Sequence, residues 1–468
     1  MVLALALGLW GIGRDGSMWG DEAVSLQVAH RSVAGIWQLS TTTDAVHLLY
    51  YLLLHAMFGL HDGGAVLLRL PSVLGTAAAA GGTALIGARL ATRRAGLAAG
   101  LAFCAFPAVQ LYAQEGRSYA LVCAAVVASG LLLLRAVERP TAGRWAGCAA
   151  AVLAACLLHE YAALAVAAQG LTLALSRQPR RVWTGWLLAT GAAGVALLPL
   201  ALRSAGQSGQ VAWIAFPGTG TLLFAAGLAL AGLLCALVRT PGPVPGPVPG
   251  AGAISLRAFG LPLLLLPQGV LLLVSLWHPV YLDRYVLFEY AGLALLVGAA
   301  LDAAGRARPR LGWRALLAVP AVLLLLLPLE LRLRTPQSRE NDLAGAAAAV
   351  RGLARPGDGV LFLPSALRQS ALAVPRDYAG LRDLALGRDA LATAGLTGTE
   401  TDPATLRARM LGATRIVTVR SAEGGTVAPP SRQDALKQRL LAADFQQCRR
   451  VEVRGVVVTS YARPGTCS

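Results

Sequence analysis

The sequence predicts a mainly α-helical, polytopic membrane bundle that ends in a small α/β domain. Three observations predict it. Of the 468 residues, 56% are apolar and only 14% charged, with a mean hydropathy of +0.59, whereas a soluble domain carries roughly a quarter charged residues. The apolar residues gather into long runs with the charges lying between them. After about residue 330 the runs stop, and short helix-like and strand-like segments alternate. The net charge of +17 would also suit a nucleic-acid binder, but its placement between apolar runs points to a bilayer and away from nucleic acid. All basic residues except Lys437 are arginine, a bias from which no function is read.

The apolar runs are 1–12, 46–60, 66–88, 95–113, 118–134, 145–158, 160–175, 183–202, 219–238, 258–277, 285–301 and 314–329. A straight helical span needs about 20 residues, so 1–12 and 46–60 are short. The first run lacks a basic leader and a cleavage box, so it reads as a first span and not as a removable signal. Arginine placement decides the second. With 46–60 lying along the outer interface and the other runs crossing, Arg89, Arg93, Arg94, Arg135, Arg139, Arg144, Arg177, Arg180 and Arg181 fall inside, as the positive-inside rule requires. That choice gives about eleven spans and a juxtamembrane helix over 46–60. It also places most acidic residues, and the C-terminal domain, outside. A rival topology, in which 1–12 does not cross and 46–60 does, separates Asp21 and Glu22 from Glu115.

The chain therefore divides into a membrane domain, 1–330, and an extracytoplasmic α/β domain, 331–468. Residues 240–250 (TPGPVPGPVPG) form a Pro/Gly spacer. Within the tail the pattern predicts helices over 338–354, 403–411 and 432–443 and strands over 359–363, 415–420, 449–454 and 456–461. The seven cysteines show no CxxC spacing, which argues against a zinc or redox framework. Cys448 and Cys467 would sit in an oxidising space, as a pair or as two thiols. The tail's basic surplus would suit an anionic wall polymer.

Charged residues at a membrane boundary are costly and tend to have a purpose. Four segments carry them. In Trp19-Gly20-Asp21-Glu22 the two acids diverge by about 100° on a helix, so one faces a pocket while the other orients it or binds an arginine; acids favouring a helix dipole explain the pair as well. Tyr112 to Tyr119 (YAQEGRSY) is a polar knot in which Glu115 and Arg117 form a site or simply a turn. His159-Glu160-Tyr161 interrupts two apolar runs. His278 to Tyr285 (HPVYLDRY) offers Arg284 between Tyr281 and Tyr285, a phosphate cradle or an interfacial anchor. Together they place a carboxylate able to take a hydroxyl proton beside cations able to stabilise a departing phosphate. A lipid-linked donor suits that layout. No Walker loop and no GxGxxG after a strand is present, so a nucleotide-sugar donor does not suit it.

On Trp19-Gly20-Asp21-Glu22, Asp44 to Tyr51 (DAVHLLYY), Arg69-Leu70-Pro71-Ser72, Tyr112 to Tyr119 and Arg284-Tyr285, the sequence resembles the GT-C glycosyltransferases, specifically family 39 and the protein-mannosyltransferase-like membrane enzymes. The resemblance implies a polyprenyl-phosphate sugar donor, mannose or another hexose, an outer-face site and inverting transfer. It implies Asp21 as general base with Glu22 beside it and Glu115 as the second acid. It also implies a donor-phosphate site of Arg117, His159, Tyr281, Arg284 and Tyr285, with Asp44, His47 and Glu160 lining the acceptor side or the pocket. No cofactor is required; if a divalent metal takes part, Asp21 and Glu115 are its oxygen donors. Two departures stand out: His47 is followed by Leu48-Leu49 where relatives often carry paired prolines, and the acid at Glu115 comes a few residues early. The acceptor is a lipid, glycan or protein. The competing classes are a flippase of lipid-linked sugars, which predicts repeats and mid-membrane charge, and a non-catalytic scaffold, which predicts tolerance of neutral residues at Asp21 and Glu115.

Overall fold

A computed structural model describes residues 1–238, 252–307, 317–422 and 431–467, so the Pro/Gly spacer at 240–250 lies outside the described residues. Two compact units emerge. The first comprises Met1–Ile12, Asp44–Tyr50 and Arg69–Leu331; the second comprises Gly13–Thr43, Tyr51–Leu68 and Arg332–Ser468.

The first unit is helical. Among the described residues five helices are long and apolar enough to cross a membrane: Gly64–Leu90, Tyr119–Glu138, Arg180–Ala205, Thr219–Leu237 and Leu256–Val274. A sixth is Arg93–Ala105 joined to Pro107–Ala113 across a 68° bend. Pro107 explains the bend: it has no N–H to continue the first helix and opens the second at its first position. Other apolar runs give shorter helices, Ala142–Leu158 and Glu160–Leu175 among them, and 46–60 falls on the short helix Ala45–Leu60. Helices in lipid gain little from apolar burial against one another and rely on close approach. Gly298 provides it, because a Cβ there would stand 2.5 Å from the Ala99 nitrogen and 2.6 Å from the Ala95 carbonyl.

The second unit carries a five-stranded mixed sheet built from β1 (Gly359–Leu363), β2 (Arg382–Asp383), β5 (Arg415–Ser421), β6 (Gln446–Val453) and β7 (Val456–Ala462) in the order β2-β1-β5-β7-β6. Strands β2, β1 and β5 are parallel, while β7 and β6 add antiparallel. A ribbon of β3 (Leu386–Arg388) and β4 (Thr399–Glu400) stands beside it. Helices Pro403–Leu411 and Arg432–Asp444 contribute Leu406, Met410, Leu440 and Leu441 to a core with Leu361, Leu363 and Ile416. The single lysine lies in this core: the Lys437 ammonium donates to the Phe362 carbonyl (2.9 Å), Glu400 (2.5 Å) and Asp434 (3.0 Å). Cys448 and Cys467 form a disulfide, their Cα atoms 5.4 Å apart.

A contiguous split at 330/331 does not describe the second unit, because the first loop folds with the C-terminal residues. The Met18 and Gly20 N–H groups donate to Asp342 (3.1 Å) and Asn341 (2.9 Å), and Leu343 N–H donates to the Met18 carbonyl (2.6 Å).

Candidate active site

Four segments of the first unit converge. Asp44 has a left-handed backbone (φ 59°), a conformation that aspartate tolerates better than most residues. The short turn Ala45–His47 that follows brings the His47 ring back, so that Nδ1–H donates to the Asp44 carboxylate at 2.7 Å. The other carboxylate oxygen lies 4.0 Å from the Arg117 guanidinium. Gln207 accepts the Ala45 N–H (3.0 Å) and so ties this turn to the end of helix Arg180–Ala205.

Arg117 belongs to the polar knot, where the chain leaves one helix at Ala113 and enters the next at Tyr119. The knot is held by the Arg69-Leu70-Pro71-Ser72 motif. The Ser72 hydroxyl lies within hydrogen-bond reach of the carbonyls of Glu115 (2.5 Å) and Arg117 (3.0 Å), and Arg69 donates to the Ile12 carbonyl (2.7 Å). These bonds turn Glu115 and Arg117 inward, at 2% and 6% exposure.

His159 breaks the chain between Ala142–Leu158 and the turn Glu160–Ala162. Its ring centroid lies 4.6 Å from Tyr285, 5.5 Å from Tyr161, 5.8 Å from Tyr119 and 5.9 Å from His47. Buried Nδ1 of His159 has no hydrogen-bond partner among the described residues. Burial holds this imidazole well below its ordinary pKa, and His47, Arg284 and Arg117 push in the same direction. It is therefore neutral at neutral pH, with one N–H to give. Glu160 is engaged elsewhere, accepting from the Ser204 hydroxyl at 2.7 Å.

The last segment supplies Arg284. Asp283 accepts both the Arg284 N–H (2.8 Å) and the Tyr112 hydroxyl (2.9 Å), which pins the turn to the polar knot. The guanidinium stands 5.8 Å from the Tyr119 ring, 5.6 Å from Trp213 and 5.9 Å from Tyr285, within cation–π range. Tyr281 lies behind this layer, in an apolar cluster with Leu271 and Val286 against which Tyr161 and Tyr285 pack.

In the second unit, Asp21 and Glu22 occupy the first turn of helix Gly20–Ala29. Glu22 is fully buried and pairs with an equally buried Arg14 at 3.4 Å; Asp21 is partly exposed. Among the described residues no group of three or more His, Cys, Asp or Glu side chains could hold a metal ion. Trp213 and Asp283 were not anticipated as parts of the cation cradle. Trp213 lies in a loop between two spans, and Asp283 acts by holding its neighbour.

No protein-family model and no curated protein matches the chain. Solved structures do match, and they define the class: the chain has the GT-C fold and is a membrane protein. It is similar to ArnT from Cupriavidus metallidurans in the apo state, with a TM-score of 0.63 and 15% identity over 98% of this chain and 96% of that one. ArnT bound to undecaprenyl phosphate gives a TM-score of 0.52 at 15% identity, over 98% and 97%.

Proposed function

We propose that the chain is a glycosyltransferase that moves a sugar, mannose or another hexose, from a polyprenyl-phosphate carrier to an acceptor on the outer face, with inversion. The observation that carries this reading is the cradle in the first unit. Two arginines, a second histidine and three tyrosines gather around the His159 ring, whose buried Nδ1 has no hydrogen-bond partner among the described residues.

The chemistry asks for such a cradle. An acceptor oxygen attacks the anomeric carbon as the bond from that carbon to the phosphate oxygen breaks, and the electron pair leaves on the phosphate, which gains negative charge. Arg284, Arg117 and the His159 N–H are donors suited to that developing charge, which preorganised groups in a water-poor site stabilise most. Tyr119 and Tyr285 wall the guanidinium, and Asp44 orients His47. In this reading Asp21 is the general base that takes the acceptor proton, while Glu22 serves the fold by pairing with Arg14. That a protein of this fold, ArnT, binds undecaprenyl phosphate agrees with the proposed carrier. The mechanism calls for no cofactor.

The test uses purified protein in nanodiscs, a panel of polyprenyl-phosphate hexoses and a membrane-extract acceptor, with released polyprenyl phosphate measured by mass spectrometry. Release that depends on acceptor is expected. Translocation of intact donor without release would overturn the reading in favour of a flippase.

A further inference from the structure

Among the described residues beyond 331, Leu391 is the large apolar side chain left exposed, at 62%. The turn that presents it is firmly built. The Asp389 carboxylate accepts the Ala392 N–H (2.7 Å), Gly395 N–H donates to the Ala390 carbonyl (2.9 Å), and the Arg388 guanidinium donates to the Ala392 carbonyl (2.6 Å). Such an Asx-type closure leaves the side chain between its anchor points facing out.

The turn is tied, within the same compact unit, to two helices near the start of the chain. Arg31 donates to the Gly395 carbonyl (3.0 Å), Gln27 to Leu396 (2.9 Å), and the Thr42 hydroxyl to Ala394. Leu391 then lies against Gly35 of helix Val33–Thr42, where a Cβ would stand 3.9 Å from its methyl carbon. The first turn of that helix continues the apolar surface: Val33 is 56% exposed, Ala34 is exposed, and Trp37 follows one turn later at 51%.

We propose that this headland, with Leu391 at its tip, dips into the outer boundary of the lipid bilayer and fixes the depth of the C-terminal domain at the membrane surface. Continuity favours lipid over another occupant. His30, just before helix Val33–Thr42, stands 3.8 Å from Asp62 and packs its ring on Phe58, so the start of that helix lies beside residues 58–62. These run through exposed Leu60 into the opening turns of Gly64–Leu90, a helix long and apolar enough to cross a membrane, with exposed Val66. Composition agrees: a tryptophan and small aliphatic side chains suit the interfacial layer, and exposed Arg388 beside the turn suits anionic headgroups.

Full-length protein carrying a nitroxide at Leu391→Cys, reconstituted in nanodiscs of phosphatidylethanolamine and phosphatidylglycerol, tests this by collision with oxygen and with a water-soluble nickel chelate. The expected result is loss of nickel access and gain of oxygen access toward the values of a Val66→Cys label, with an Asp402→Cys label remaining open to nickel. Nickel access equal to that at Asp402→Cys overturns the proposal. So does protection from both reagents, which would mean that protein covers the turn. If the labelled variant fails to reconstitute, hydrogen exchange of unmodified protein decides: amides 390–394 should slow on adding anionic lipid, and unchanged exchange overturns the proposal.

Discussion

Lys437 and His159 are both buried nitrogen bases, and their surroundings are opposite. Lys437 meets three acceptors, one for each N–H, and two of them are carboxylates. His159 meets aromatic faces, with the Arg284 and Arg117 guanidinium groups nearby. Its Nδ1 has no hydrogen-bond partner among the described residues. Burial alone therefore does not separate structural charge from charge kept for chemistry; closure does. A closed set holds its own elements together. One that leaves a buried imidazole nitrogen without a partner among the described residues, with two arginines nearby, has room for a group that the chain itself does not supply.

The largest expected effect contrasts two adjacent acids. Asp21→Asn should lower sugar transfer by about 10²–10⁴, the range for loss of a positioned base, with an unchanged unfolding midpoint. Glu22→Gln should instead strip a buried Arg14 of its counter-charge and destabilise the protein by about 3–5 kcal/mol. Transfer assays and thermal unfolding on both variants decide the matter. Wild-type turnover in Asp21→Asn would remove Asp21 from the mechanism.

Next comes the closed set itself. Lys437→Met leaves buried Asp434 and half-buried Glu400 against an uncharged side chain, with Arg368 still 3.7 Å from Glu400, and breaking such a network typically costs about 3–5 kcal/mol. Chemical unfolding of the full chain should show a lost or early transition for the sheet. If stability is unchanged, closure is not what Lys437 provides.

Arg284→Ala sharpens the other side. Hydrogen bonds to charged groups contribute about 1.5–3 kcal/mol, so the KM for the lipid-phosphate donor should rise about 10–100-fold, with little change in the KM for acceptor or in stability. Equal effects on both substrates would make Arg284 an interfacial anchor.

Much of this was legible in the sequence because a membrane chain makes polar residues conspicuous. Asp44, Arg117, His159 and Arg284 each interrupt or border an apolar run, and the structure brings them together in one unit. The tail was legible because its strands carry unbroken β-rich runs: β1 covers the expected 359–363. Three things were not legible. The first loop joins the C-terminal unit through hydrogen bonds from Met18 and Gly20 to residues more than 300 positions away, for which no local pattern exists. Lys437 stood out only as the lone lysine, and its meaning depends on two carboxylates brought in by the fold. Trp213 looks like any tryptophan in a loop until Arg284 is placed beneath it.

The smallest expected effect concerns pH. Because His159 is held below its ordinary value in the folded chain, the unfolded chain takes up a proton below about 6.5 that the folded chain refuses. Its contribution to stability is thus complete above that pH and is lost as pH falls toward the folded value, by at most about 1.4 kcal/mol per pH unit. His159→Gln should flatten this part of the profile between about pH 7 and 5, measured as unfolding midpoints in nanodiscs. A polyprenyl phosphate added to the wild type should flatten it too, because an anion beside the ring favours the protonated form and raises its pKa. If the variant flattens the profile and the lipid phosphate does not, His159 is a buried histidine of the fold and the anion binds elsewhere.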